Sequence, residues 1–173
     1  MSEAVYRDAT AADSALMADI GPRTFVETFG HLYSKEDLDA FLACHSEESW
    51  RGELEDPAYT VRIAEIDGQA VGFAKVGPPS LPFDPRGPSA ELRQLYVLPP
   101  WQGKGVAHDL MRWAIDHSKA LGARDLYLSV FVDNHRARRF YERYGFTFVG
   151  TYAFMVGNHA DEDHVMRLAL DGE

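Results

Sequence analysis

Residues 128–146 read LSVFVDNHRARRFYERYGF. The character of the chain changes three times along this stretch. DLYLSVFV, residues 125–132, is apolar almost throughout and reads as a buried strand. Asn134 follows, with the short polar side chain of a helix N-cap. Ala137, Phe140, Tyr141 and Tyr144 then recur at helical spacing on one side of NHRARRFYERY, and Gly145 closes the helix.

The same strand-to-helix passage occurs just upstream, in VLPPWQGKGVAHDLM, residues 97–111. ELRQLYVL is a strand, stopped by Pro99 and Pro100, which offer no backbone donors. The helix after Gly103 and Gly105 carries Val106, Leu110, Ala114, Ile115, Ser118 and Leu121 on one face, with Gly122 as its C-cap. Working outward, VYRDAT is a short first strand. Thr10 and Asp13 have capping-box spacing, so a helix starts there. Pro22 ends or kinks it, and helical patterning resumes through Phe25 and Phe29. SKEDLDAFLACH has Ser34 as a cap and Leu38, Phe41 and Leu42 at helical spacing. YTVRIAEI and QAVGFAKV flank the turn pair Asp67-Gly68 and form a hairpin. GPPSLPFDPRGP is a proline-rich loop. FTFVGTYAFMV and DHVMRLAL are two final strands, read as antiparallel. The order is strand, helices, three strands, helix, strand, helix, two strands. This is an α/β chain, expected to form one domain over residues 1–173: a mixed, mostly antiparallel sheet of about six to seven strands with helices on both faces.

Composition bounds the function. Hydrophobic residues make up 46% and charged residues 25% of the 173, the profile of a globular protein with a sizeable core. No apolar run is long enough to cross a bilayer, and MSEAVYRDAT has no signal-peptide pattern, so a cytoplasmic location and no membrane partner are expected. Cys44 stands alone, which excludes an internal disulfide and a cysteine metal cage. The net charge of −10 disfavours nucleic acid. It is uneven: from Glu27 to Asp56 nine acids face two bases, whereas from Trp101 to Arg143 eight bases face five acids. One part suits a cation and the other an anion, although surface solubility explains the same acids.

The glycine turn suggests the anion. A Walker loop would need glycine at Leu98 and a hydroxyl residue after the lysine, where Gly105 stands. A Rossmann turn would need glycine at His108. Neither fits. Gly103 and Gly105 still let the backbone curl around a small anion, and the helix that follows offers unpaired N–H groups and its positive dipole end. A pyrophosphate would fit there without metal, and a plain strand-to-helix turn would use the same glycines.

The pattern L-x-V-x-x-x-N-x-x-A-x-x-F-Y-E-x-x-G-F, together with Q-x-x-G-x-A at Gln102, Gly105 and Ala107, resembles the GNAT superfamily of acetyl-CoA-dependent N-acetyltransferases. The resemblance covers nearly the whole chain. It implies a splayed central strand pair and acetyl-CoA as cosubstrate, with no metal. The turn of Gln102, Gly103, Lys104, Gly105, Val106 and Ala107 would hold the pyrophosphate. Unpaired backbone groups of Leu95 and Val97 would meet the pantetheine amides, as a sheet edge meets an added strand. Asn134 would touch the cofactor, and Tyr141 would point at the thioester sulfur as general acid. Glu91 lies where many members carry a base. Ala107 replaces the more common final glycine.

The chemistry agrees with these roles. An alkylamine of pKa near 10.4 is neutral in only about one molecule in two thousand at pH 7, so a carboxylate or a water chain must take its proton. An N–H at Val97 would serve the oxyanion. Plainer roles stand beside these: a core aromatic for Tyr141, a helix cap for Asn134, a surface or salt-bridged Glu91, a solvated Lys104. His31 and Tyr33 fall where acceptors enter this fold and are candidates for the acceptor pocket. NHADEDH, residues 158–164, reads as an acidic hairpin loop rather than a metal site. Trp50 and Trp113 read as packing residues.

TFVETFGHLYSKEDLDAFL and DHVMRLAL look like the PaiA-like branch, the spermidine/spermine acetyltransferases, which implies a polyamine or related small amine as acceptor. Protein N-termini or lysines are the alternative acceptors, and an acyl-CoA sensor without turnover is the alternative class. Many members dimerise through their C-terminal strands, and YAFMV is apolar enough for that, so the sequence leaves a homodimer open.

Overall fold

Thr10 and Asp13 cap one another: the Thr10 hydroxyl accepts from the Ala12 amide and the Asp13 carboxylate from the Thr10 amide at 2.8 Å. A 3-10 turn at Ala11–Asp13 opens from that box, and helix α1 (Ser14–Phe29) follows. The computed structural model describes residues 3–43, 45–82 and 85–170. Cys44 lies outside them, as do Phe83 and Asp84 of the proline-rich loop. Strand β1 (Val5–Asp8) precedes the box. After α1 come α2 (Lys35–Leu42), α3 (Glu47–Glu55), β2 (Thr60–Ile66), β3 (Gln69–Gly77), β4 (Ser89–Val97), α4 (Val106–Ala120), β5 (Asp125–Phe131), α5 (His135–Glu142), β6 (Thr147–Val156) and β7 (His159–Ala169).

The strands form one sheet in the order β1-β2-β3-β4-β5-β7-β6. All neighbours are antiparallel except β4 and β5. That parallel pair holds register only at Ser89–Asp125, Ala90–Leu126 and Glu91–Tyr127. Beyond it β4 stays paired with β3 through Val97, and β5 stays paired with β7 through Phe131. The two strands therefore diverge and leave a wedge in the middle of the sheet. A bulge at Arg93, which the β3–β4 register skips, increases the local twist where the strands part. Each face carries its own core. Met17, Ile20 and Trp50 of α1 and α3 pack on Val61, Ile63 and Phe73. Val106, Leu110, Met111 and Ala114 of α4 pack on Val71, Val76 and Leu92. The Arg86 guanidinium makes a bidentate pair with the fully buried Asp125 carboxylate (2.6 and 3.1 Å), which fastens the proline-rich loop to the start of β5.

Four local readings change. Pro22 sits inside a continuous α1 and does not end it: Met17, Ile20, Thr24 and Phe25 are buried on either side, and the Thr24 hydroxyl donates to the Gly21 carbonyl. Tertiary packing outweighs the lost amide. Helix α3, capped by Ser46, was not legible as an element, because Trp50 is its only fully buried residue and so no periodic stripe marks it. Leu121 is exposed beyond the last turn of α4. The acidic run His159–His164 is strand, and only Gly157 and Asn158 turn. Among the described residues no helix is long and apolar enough to cross a membrane.

Candidate active site

The wedge between β4 and β5 opens into a cavity of about 580 Å³. One part of its wall is built for an anion. Gly103 (φ +76°) and Gly105 (φ +89°) hold left-handed backbone conformations that a side chain disfavours. The first amide to bond within α4 is that of Asp109, to the Gly105 carbonyl at 3.0 Å. The amides of Val106, Ala107 and His108 therefore have no partner in the helix. The Gln102 side chain ties the turn to the strand by donating to the Val97 carbonyl at 3.0 Å, and Arg136 of α5 reaches its amide oxygen at 3.4 Å. The His108 imidazole and Tyr144 hydroxyl, in hydrogen-bond contact, join the first turn of α4 to the turn that follows α5.

The middle of the wall is the free edge of β4. The Leu98 amide donates to the Val71 carbonyl of β3 at 2.8 Å. Strand alternation then aims the backbone groups of Val97 and Leu95 the other way, into the wedge, where the Val97 carbonyl meets Gln102 and the Val97 amide and both Leu95 groups have no strand partner. Asn134 caps α5 through the Ala137 amide (3.2 Å) at the rim. Tyr141 projects from α5 into the cavity, and burial of its hydroxyl pushes its pKa up to about 12, so it stays a proton donor.

The remaining wall is aromatic and acidic. Phe25 stacks on Tyr33 and Phe41, and Phe41 meets Phe154 of β6 edge-on. Beneath them Asp161 and Asp163 point inward from β7, both buried, while Glu162 between them is exposed. The Tyr33 hydroxyl donates to Asp161, and the His159 ring lies 3.0 Å from the other Asp161 oxygen. Burial first, and the neighbouring Asp161 charge second, push the Asp163 carboxyl up to about 7. The Tyr96 hydroxyl is raised by burial and by the charges of Tyr141 and Asp163. Tyr33 is raised by burial, Asp161, Asp163 and Tyr96. The two acids and three phenols are thus close enough to perturb one another.

Residues 23–146 match the Acetyltransferase (GNAT) family. This chain belongs to the GNAT acetyltransferases. An uncharacterized N-acetyltransferase of Mycobacterium bovis is 32% identical over 155 residues, covering 89% of this chain and 96% of the relative. The L-amino acid N-acetyltransferase AaaT of Escherichia coli K12 is 33% identical over 128 residues, covering 71% and 77%. In fold, the PaiA N-acetyltransferase of Thermoplasma acidophilum, solved with coenzyme A, superposes with a TM-score of 0.76 at 19% identity, covering 96% of this chain and 99% of that one. Membership makes the chain an acetyl-CoA-dependent acyltransferase.

The GNAT chain's own residues fit that cosubstrate: an amide cradle with two positive-φ glycines, a free strand edge, and a buried phenol in one cavity. Leu95, Val97, Gln102, Gly103, Gly105, Ala107, Asn134, Tyr141 and Tyr33 all line it. Four expected residues do not. Lys104 is exposed on the outside of the turn, and the Val106 side chain is in the core, leaving only its amide to the cradle. His31 is exposed outside the cavity, because the 3-10 turn at Gly30–Leu32 aims it to solvent while Tyr33 folds inward. Glu91 is buried but lies at the last paired register, before the strands part. There it accepts from the Ser80 amide (2.7 Å) and hydroxyl (3.0 Å), and it pins the proline-rich loop. Asp161 and Asp163 also line the cavity and are not among the expected residues. No sequence pattern separates them, because residues 161–164 are all polar; the pleat of β7 does, burying Asp161, Asp163 and Val165 and exposing Glu162. Among the described residues no group of three His, Cys, Asp or Glu is placed to hold a metal ion.

Proposed function

We propose that the chain moves the acetyl group of acetyl-CoA directly to a primary amine of a small cation, with a polyamine as the first candidate. The observation that carries this reading is the acceptor wall: two buried carboxylates under a layer of aromatic rings, in the same cavity as Tyr141. An alkylammonium with an aliphatic body matches that chemistry, because the rings cover methylenes and attract the cation while the carboxylates oppose its charge. The cradle from Gln102 to Ala107 binds pyrophosphate through backbone amides. The wedge-facing groups of Leu95 pair with the pantetheine amides, and the Val97 amide faces the developing oxyanion. Asn134 orients the donor at the mouth of α5. The leaving thiolate takes its proton from Tyr141.

The test is thiol release from acetyl-CoA across spermidine, spermine, free amino acids, lysine peptides and N-terminal peptides. Turnover with polyamines well above the rest is the expected result. Turnover confined to amino acids or to peptides would replace the acceptor assignment, and tight acetyl-CoA binding without thiol release for any amine would favour a sensor. A homodimer would use β6, an edge strand of the sheet with Phe148 and Met155 exposed. Light scattering on the protein and on a Phe148→Lys/Met155→Lys variant tests that pairing, which predicts a monomeric variant.

A further inference from the structure

The acetyl-transfer reading leaves one role empty, since Glu91 does not reach the cavity. We propose that Asp163 is the base that takes the proton from the incoming ammonium, and that Asp161 is the positioning residue that holds Asp163 ready for it. This rests on the acetyl-transfer reading and adds a residue to it.

Geometry carries the assignment. Asp161 is already engaged on both oxygens, by the Tyr33 hydroxyl and the His159 ring. Asp163, one strand period further on, opposes Phe131 of β5 in register, so it sits where β5 reaches the mouth of the wedge. Its hydrogen-bonding neighbour on β5 is the Ser129 hydroxyl. The groups facing it can be named element by element. Asp161 is on its own strand, with His159 beyond. Tyr152 is its register partner on β6. Tyr96 and Arg93 line the cavity from β4, Tyr141 from α5, and Tyr33 from the link between α1 and α2. Tyr96, Tyr141 and Asp163 line the same cavity, and both the proton donor and the proposed acceptor are within electrostatic reach of the Tyr96 phenol.

A base works best with an affinity for protons near the working pH, and burial beside Asp161 holds Asp163 there. The proton count closes. The ammonium gives one proton to the Asp163 carboxylate, and the neutral amine attacks the thioester carbonyl carbon. The C–N bond forms and the C–S bond breaks. The thiolate takes the Tyr141 proton, and the second nitrogen proton returns to the Tyr141 phenolate. Asp163 then releases its proton to solvent, so one amide, one thiol and one proton leave per turnover.

The experiment is a pH profile of kcat/KM and kcat with the best amine of the panel, for the wild type, Asp163→Asn, Asp161→Asn and Glu91→Gln. Acetyl-CoA binding to each by calorimetry shows that the fold is intact. The wild-type kcat/KM should climb with pH through a limb near 7. In Asp163→Asn, kcat should fall about 100-fold or more and this limb should vanish, while acetyl-CoA affinity is kept. In Asp161→Asn the limb should move to lower pH, because one of the charges raising Asp163 is gone; a merely structural role would not move it. Asp163→Asn with wild-type kcat and the same limb overturns the assignment, as does loss of the limb in Glu91→Gln instead. A wild type that acetylates no amine while binding acetyl-CoA overturns the transfer reading itself, which distinguishes the two failures.

Discussion

Tyr141 and Asp163 hold their protons for the same reason, burial, and each has a measurable consequence. Tyr141→Phe removes only the hydroxyl. It should lower kcat about 10- to 100-fold and leave the acetyl-CoA dissociation constant within about twofold, as expected for a group used only in the transition state. Asp163 also makes a prediction about stability. Its folded pKa lies above the unfolded value near 3.9, so the folded chain binds that proton more tightly than the unfolded chain does. The stability it contributes is complete below about pH 4 and is lost as pH rises toward 7. Asp163→Asn should therefore raise Tm at pH 8, with the gain shrinking to nothing near pH 4. Thermal melts across that range check it. A residue that destabilises the protein at its working pH is what a functional carboxylate in a buried wall should look like.

At the scale of elements, the glycine turn and α5, the proposed donor side, were readable, and the wall of Tyr33, Asp161 and Asp163, the proposed acceptor side, was not. The cradle and α5 are contiguous motifs whose glycines and cap have local conformational reasons, and each sits where its residues predicted. Gly105→Ala tests this locality. A side chain there meets open space, so the cost is backbone strain of about 1 kcal/mol, together with a distorted cradle. A Tm a few degrees lower and a severalfold higher KM for acetyl-CoA are expected. The acceptor wall instead joins α1, the link to α2, β6 and β7, and no local pattern announces that Tyr33 will meet Asp161. ADEDH read as a loop because aspartate is disfavoured in strands. It is strand because β6 pairs along all of it across the two-residue turn at Gly157 and Asn158, and β5 adds a second partner from Asp163 onward. Glu91 failed differently: its strand was right, but the point at which β4 parts from β5 lies just past it, and that point is set by the pairing of other strands.

Over the whole molecule the net charge of −10 sets a field that draws cations in. If a polyamine is the acceptor, its KM should rise severalfold between low salt and about 0.3 M, as the Debye length shrinks below 10 Å, while the KM of a neutral amino acid changes little. The cavity also differs in how its parts are closed. Contacts that shape the donor part are short in sequence: Gln102 to Arg136 spans 34 positions and His108 to Tyr144 spans 36. Those that bring β7 and its turn against the segment after α1 are long. Tyr33 to Asp161 spans 128 positions, and the Asn158 amide, 2.9 Å from the Asp37 carboxylate, closes 121. Glycine is required in that last clasp, since a side chain on Gly157 would come within 2.6 Å of the Asp37 backbone. Longer loops cost more entropy to close and reward it later. During synthesis, then, the glycine turn can meet α5 as soon as α5 has emerged, but the wall of Tyr33 and Asp161, proposed to receive the amine, waits for β7 to arrive and trap a segment made more than a hundred residues earlier.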